Sequence, residues 1–329
     1  MKKILFLVTS LLSCILFVIF ALASNDVSDL YKTLAVNFLG NITTNKIDLS
    51  SEKIGKNLYG EDEVIIYDIN STGYNIVNLK EYSIPELSLE SENPFKNVEF
   101  PIYNGTLQYF YEDCGTIKDV YSGIELIQSS VINYYCKTKT NFSSINLNAK
   151  SPIVERYITG SLKTWYISGG NCGSIAAAIC MRYYYDYVDS NYVPSGYTSS
   201  NNLISLMQTY VGVGGTTYND MVSGLNSYFY NYGLTNSSTS NIPFSFSDVK
   251  ASIISSRPII VGTLNHPVYS NHWVIAHGYF ESKVDGNYLI INNGWGSNNV
   301  WIEPNSLTLD GTINFANWGG LWNWISFYF

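Results

Sequence analysis

One cysteine in this 329-residue chain stands where a thiol can become a nucleophile. Gly169-Gly170-Asn171 breaks the chain, and Cys172 then opens the run CGSIAAAICMRYYYDY, rich in Ala, Ile, Met and Tyr. A thiolate is favoured at a helix N-terminus, where the backbone carries partial positive charge. The neighbouring glycines let backbone amides come close to a ligand. A thiol of this kind needs an imidazole as proton acceptor, and the chain offers only His266, His272 and His277. His272 heads the stretch HWVIAHGY, which predicts a strand over Trp273 to Phe280 with His272 at its rim. Alternation puts His272, Val274 and Ala276 on one face and His277 on the other. The next stretch, YLIINNGWG, predicts a strand over Tyr288 to Ile291. A hairpin turn centred near residues 282–283 sets His272 about opposite Asn293, whose amide oxygen can orient the imidazole. Asn292 is the alternative, since it too precedes Gly-Trp-Gly.

The other candidates read as structure. Cys180 lies two turns into an apolar helix and reads as a small buried hydrophobe. His277 reads as structural and His266, before Pro267, as a loop residue. By type alone Trp295, Trp301 and Trp318 read as core aromatics. There is no HExxH, no CxxC and no histidine pair on one helix face, so neither metal nor cofactor is expected. Gly212-Val213-Gly214-Gly215-Thr216-Thr217 lacks the lysine of a phosphate loop.

The elements around these residues predict an α+β protein with the two halves in sequence order. Helices are expected over Ser28 to Leu39, Val120 to Tyr135, Cys172 to Tyr187 and Ser247 to Ser256, the last stopped by Arg257-Pro258. Strands are expected over Glu63 to Tyr67, Gly73 to Val77, Asn97 to Tyr103, Ile259 to Leu264 and Val300 to Ile302. The middle segment carries Gly and Ser residues that read as loops, including Gly212, Gly214 and Gly215. The polar span Lys137 to Leu162 reads as a linker.

Composition narrows the partners. The net charge is −8 and the only arginines are Arg156, Arg182 and Arg257. That excludes a basic patch for nucleic acid and argues against anionic lipid. Lys2-Lys3, an apolar run from Ile4 to Ala23 and the small-residue site Ala21-Leu22-Ala23 describe a secretory leader, residues 1–23. The same run is long enough for an uncleaved anchor, and Leu11-Leu12-Ser13-Cys14 faintly resembles a lipoprotein cleavage box. Beyond the leader, Cys114, Cys136, Cys172 and Cys180 are too few for a disulfide framework, although Cys114 and Cys136 can pair with each other.

The order Cys172, His272, Asn293, the CGS opening a helix and the terminal Asn-Gly-Trp-Gly together resemble papain-like cysteine peptidases. The segment around NCGSIAAAICMRYYYDYV is similar to the secreted bacterial streptopain group, and the resemblance covers roughly Trp165 to Ile302. It implies a papain-like fold over residues 151–329, with the nucleophile helix first and the antiparallel sheet after, preceded by an α+β propeptide domain over 24–150. It implies a monomeric secreted zymogen that hydrolyses protein or peptide substrates and is held inactive by its own propeptide. Cys172 is then the nucleophile, His272 the proton shuttle, Asn293 the orienting residue, the Cys172 amide part of the oxyanion hole, and Trp295 a shield over the Asn–His bond. One position departs from the pattern. Where papain-like enzymes carry a Gln ahead of the cysteine, this chain has Tyr166, and the nearest preceding Gln is Gln128. Asn171 is the substitute oxyanion donor, with Trp165 and Ser168 as further candidates. A cell-wall amidase or acyltransferase using the same pair, and an inactive papain-fold binding protein, are the competing expectations.

Overall fold

A computed structural model of the protein describes residues 28–126, 153–167, 169, 171–266, 270–304 and 309–317. The leader, Cys136, Ser168, Trp318 and residues 137–152 of the expected linker lie outside them.

Among the described residues, fourteen strands join into one sheet. The N-terminal half supplies helix α1 (28–42) and strands β1 (Leu49–Lys56), β2 (Asp62–Ile69), β3 (Gly73–Asn78), β4 (Glu86–Ser88), β5 (Pro101–Tyr103), β6 (Tyr109–Asp113) and β7 (Thr116–Asp119). The C-terminal half adds β8 (Ile153–Tyr157), the helices α2 (Cys172–Tyr187), α3 (Ser200–Val211) and α4 (Tyr218–Asn231), strand β9 (Asn236–Asn241) and helix α5 (Phe246–Ile254). It ends with β10 (Ile259–His266), β11 (Ser270–Ser282), β12 (Gly286–Asn292), β13 (Val300–Ile302) and β14 (Leu309–Asn317). The halves meet where β4 pairs antiparallel with β13, Leu87 opposite Trp301.

Strand alternation explains how this sheet is covered on both sides. Val64, Ile66, Tyr74, Ile76, Leu289, Ile291, Val300 and Ile302 face one core, which includes α2. Their neighbours Ile65, Tyr67, Val77, Tyr288, Ile290 and Trp301 face a second core. That second core is closed by α1, whose buried residues Tyr31, Ala35, Phe38 and Leu39 have the spacing of an amphipathic helix. The second core therefore takes residues from both halves. Phe280, Tyr288 and Trp301 of the C-terminal half are wholly buried there. Aromatic side chains bury ~150–250 Å² each, so the three represent roughly 11–19 kcal/mol of apolar transfer at ~25 cal/mol/Å². The seam is also hydrogen-bonded, with Tyr288 Oη donating to Ile84 O at 2.9 Å and Ser91 Oγ to Asn298 O at 2.6 Å.

Several expectations need correction. Residues 120–126 form a turn and an isolated bridge, not the start of a helix. Asp119 Oδ1 accepts from the Tyr121 and Ser122 amides and holds that turn. Of the strand expected over Asn97 to Tyr103, only Pro101–Tyr103 forms. The end of the expected linker is strand β8, paired with Gly278 to Ser282 of β11. The middle segment also holds two helices, with Gly212, Gly214 and Gly215 in the loop between them. Ser199 caps α3, and Thr217 with Asp220 makes a capping box on α4.

Candidate active site

Helix α2 presents Cys172 at its first position, with Asn171 as the N-cap residue. Residues Gly173 to Met181 are buried without interruption, so the helix is enclosed on all sides and its N-terminus is fixed. Gly173 is required by space, because a Cβ there would lie 2.6 Å from Thr216 Oγ1. The Cys172 sulphur lies near the backbone N–H groups of Trp273, Gly173 and Cys172 itself, which favour the thiolate. Burial is the larger effect and pushes the thiol above its ordinary range, while these amides pull it back. The Trp273 contact brings the sulphur beside β11, one residue from His272.

His272 is buried on β11. Its Nε2 lies 2.7 Å from the backbone carbonyl oxygen of Asn293. A carbonyl only accepts, so Nε2 carries the proton and Nδ1 is the basic nitrogen of the neutral ring. The ring is stacked on Trp295 with centroids 3.8 Å apart and planes 7° from parallel. Cys172 and His272 line one small crevice with Asn171, Tyr166, Gly294 and Ser122, about 30 Å³ in volume, room for a water or two.

The Asn293 side chain does not orient the imidazole. Its Oδ1 accepts from Trp295 N at 2.9 Å and Ser297 N at 3.1 Å. Asn292 is also taken up, donating to Lys163 O at 3.0 Å and Asn298 Oδ1 at 2.6 Å and accepting from Gly294 N. The physical reason is register. The hairpin turns at 283–285, with Ser282 opposite Gly286, and a bulge at His277 shifts the pairing between Ala276 and Gly278. Asn292 lies opposite Ile275, so β12 ends before reaching the level of His272. The chain then folds back through Gly294 and Gly296, both at positive φ (72° and 91°), a conformation glycine adopts without strain. That turn aims a main-chain carbonyl at His272 and lays Trp295 against its face.

The remaining residues divide clearly. Cys180 is buried in the core, its thiol pushed far up by desolvation. His277 is buried on the bulge beside Tyr157 and is lowered to about 4 by burial, so it is neutral near pH 7. Tyr166 is exposed at the crevice, in the position where the papain pattern has Gln. Trp165 packs against the main core. Trp301 is a core aromatic and pairs with Leu87 across the seam. Among the described residues no group of three His, Cys, Asp or Glu could hold a metal, and no helix is long and apolar enough to cross a membrane.

Two contributors were not expected from the sequence. Tyr121, on the turn after β7, stacks on Trp295 with centroids 4.7 Å apart and planes 14° from parallel, and Ser122 reaches the crevice. Nothing in the pattern around Val120 marks this. Gln208 on α3 donates through Nε2 to Asn171 Oδ1 at 3.0 Å. Its signal was present, because it is the one amide in the apolar stretch LISLMQTYV and lies one turn from Ile204 and Val211.

Residues 157–317 match the model of the Peptidase_C39 like family, within a papain-like cysteine peptidase clan. No curated protein matches the chain.

Proposed function

We propose that the chain is an exported cysteine peptidase, made with an N-terminal half that covers its cleft. The observation that carries this is the meeting of Cys172, at the head of α2, with an imidazole whose Nε2 is fixed by a main-chain carbonyl. The match of residues 157–317 points to the same class of enzyme. In this reading Cys172 Sγ bonds to the scissile carbonyl carbon as its proton passes to His272. The C–N bond breaks as His272 returns that proton to the leaving amine. Water, deprotonated by His272, then attacks the thioester, and the C–S bond breaks. The Cys172 amide and Asn171 hold the developing oxyanion, a role for which one donor is worth ~10²–10³ in rate.

The covering role rests on Tyr121 against Trp295, on Ser122 in the crevice and on the crevice's small volume. Because the two halves share a core, cutting the connection leaves the cover in place, and its digestion opens the site. The cut falls ahead of Ile153, since β8 belongs to the β11 edge. Export rests on Lys2-Lys3 and the apolar run that follows them.

The test is hydrolysis of an unfolded protein and of peptidoglycan by the secreted chain, beside Cys172→Ala and His272→Ala. The expected result is proteolysis abolished in both variants and peptidoglycan untouched. Peptidoglycan cleavage instead makes the chain an amidase, and activity surviving Cys172→Ala removes the thiol mechanism.

A further inference from the structure

Asn171 occupies an N-cap position without capping. An asparagine there ordinarily gives its side-chain oxygen to the amide of the second or third helical residue, here Gly173 or Ser174. No such bond forms. The oxygen is held by Gln208 Nε2 at 3.0 Å, while Asn171 Nδ2 donates to Gly169 O at 3.2 Å. The direction of the amide is fixed from both sides. Gly169 O can only accept, so Nδ2 faces it, and Oδ1 must then face the donor on Gln208. The Gly173 N–H, which the Asn171 side chain leaves uncapped, lies near the Cys172 sulphur and favours its thiolate. Gly169 and Asn171 both line the crevice.

We infer that Gln208 is a positioning residue for the thiol and the oxyanion site. By drawing the Asn171 oxygen off the end of α2, it leaves the Gly173 amide beside Cys172 uncapped. It also keeps the N–H side of the Asn171 amide, not the carbonyl lone pairs, toward the place where negative charge develops. This stands in for the missing Gln at Tyr166: the amide that serves the oxyanion comes from beside the nucleophile and is oriented by a second amide one helix away. The inference rests on Cys172 being the nucleophile.

The test uses the full chain with Gln208→Leu, which has no donor, and Gln208→Glu, whose carboxylate repels Oδ1 and accepts from Nδ2, reversing the amide. Each is made alone and with Asn171→Ala. The first readout is the pH profile of Cys172 alkylation by iodoacetamide, which needs no turnover. The second is kcat and KM for a short peptide anilide, measured after the covering half has been digested. Both single variants are expected to move the alkylation profile to higher pH. Gln208→Glu is expected to lower kcat by ~10²-fold, the worth of one oxyanion donor, with KM changed little. In the Asn171→Ala background either substitution should have no further effect, because the residue it acts through is gone. An unchanged alkylation profile in both single variants overturns the inference. So does an equal loss with and without Asn171, which would make Gln208 only a tie between α3 and α2. A chain that alkylates as expected but cleaves no peptide would refute the peptidase reading and leave Gln208's action on the thiol standing.

Discussion

Replacing Asn293 with alanine separates a side-chain partner for the imidazole from a main-chain one. If the Asn293 amide oxygen were the acceptor for His272, its removal would cost a hydrogen bond to a charged ring. Such a bond is worth ~1.5–3 kcal/mol, or roughly 10–150-fold in rate. In the structure the acceptor is the Asn293 main-chain oxygen at 2.7 Å, which alanine retains. What alanine removes is the pair of bonds from Trp295 N and Ser297 N to Oδ1. At about 1 kcal/mol each these total ~2 kcal/mol, which lowers Tm by ~4–8 °C for a domain of ~150–250 residues. The turn keeps its bond from Asn293 N to Ser297 O at 3.0 Å and the support of Asn292. The expected outcome for Asn293→Ala is a lower unfolding midpoint with kcat/KM held well within tenfold, measured far below Tm by peptide hydrolysis beside differential scanning calorimetry. A hundredfold fall in kcat with the midpoint unmoved would refute the main-chain assignment.

Three further outcomes follow from the same geometry. Gly173→Ala forces a methyl against Thr216 Oγ1, which is itself bonded to Val211 O, so it should cost ~1–3 kcal/mol of stability and sharply reduce Cys172 reactivity, read by denaturant unfolding and alkylation. Tyr121→Ala uncovers Trp295 and relieves the burial that raises the Cys172 thiol, so iodoacetamide should label Cys172 severalfold faster at neutral pH in the full chain; an unchanged rate would show that the turn covers nothing. Glu86 is a fully buried carboxyl accepting from Tyr74 Oη at 2.6 Å, Leu107 N at 3.0 Å and Tyr109 Oη, and burial raises it above its ordinary 4.5. The folded chain therefore binds more protons than the unfolded one as pH climbs past that value, and stability falls with rising pH in that window. Glu86→Gln should flatten this slope above pH 4.5, as read from unfolding midpoints across the range.

The sequence was most legible where one physical rule governed a segment. Helix α2 runs from Cys172 to Tyr187 as its glycine break and apolar run require, and β13 is the expected Val300–Ile302. Helices α3 and α4 are not marked by the apolar pattern because their Asn, Ser, Thr and Tyr residues blur the stripe, even though the capping box at Thr217 and Asp220 marks a helix start. The register of His272 is displaced by about two residues, since a bulge at His277 and a turn at 283–285 leave no trace in alternation. That slip decides whether a side chain or a carbonyl meets the imidazole. Gln208 and Tyr121 lay beyond reach for a different reason. Both act across the fold, from α3 and from the N-terminal half, where chain spacing carries no information about proximity.

The most direct test of the account is labelling with an epoxide inhibitor of cysteine peptidases, with the adduct located by mass spectrometry in wild type, Cys172→Ala and His272→Ala. The account predicts a single adduct on Cys172, weak in the intact chain, strong once the covering half has been digested, and lost with His272→Ala. Labelling spread over Cys114 and Cys180, or a Cys172 adduct indifferent to His272, would contradict it.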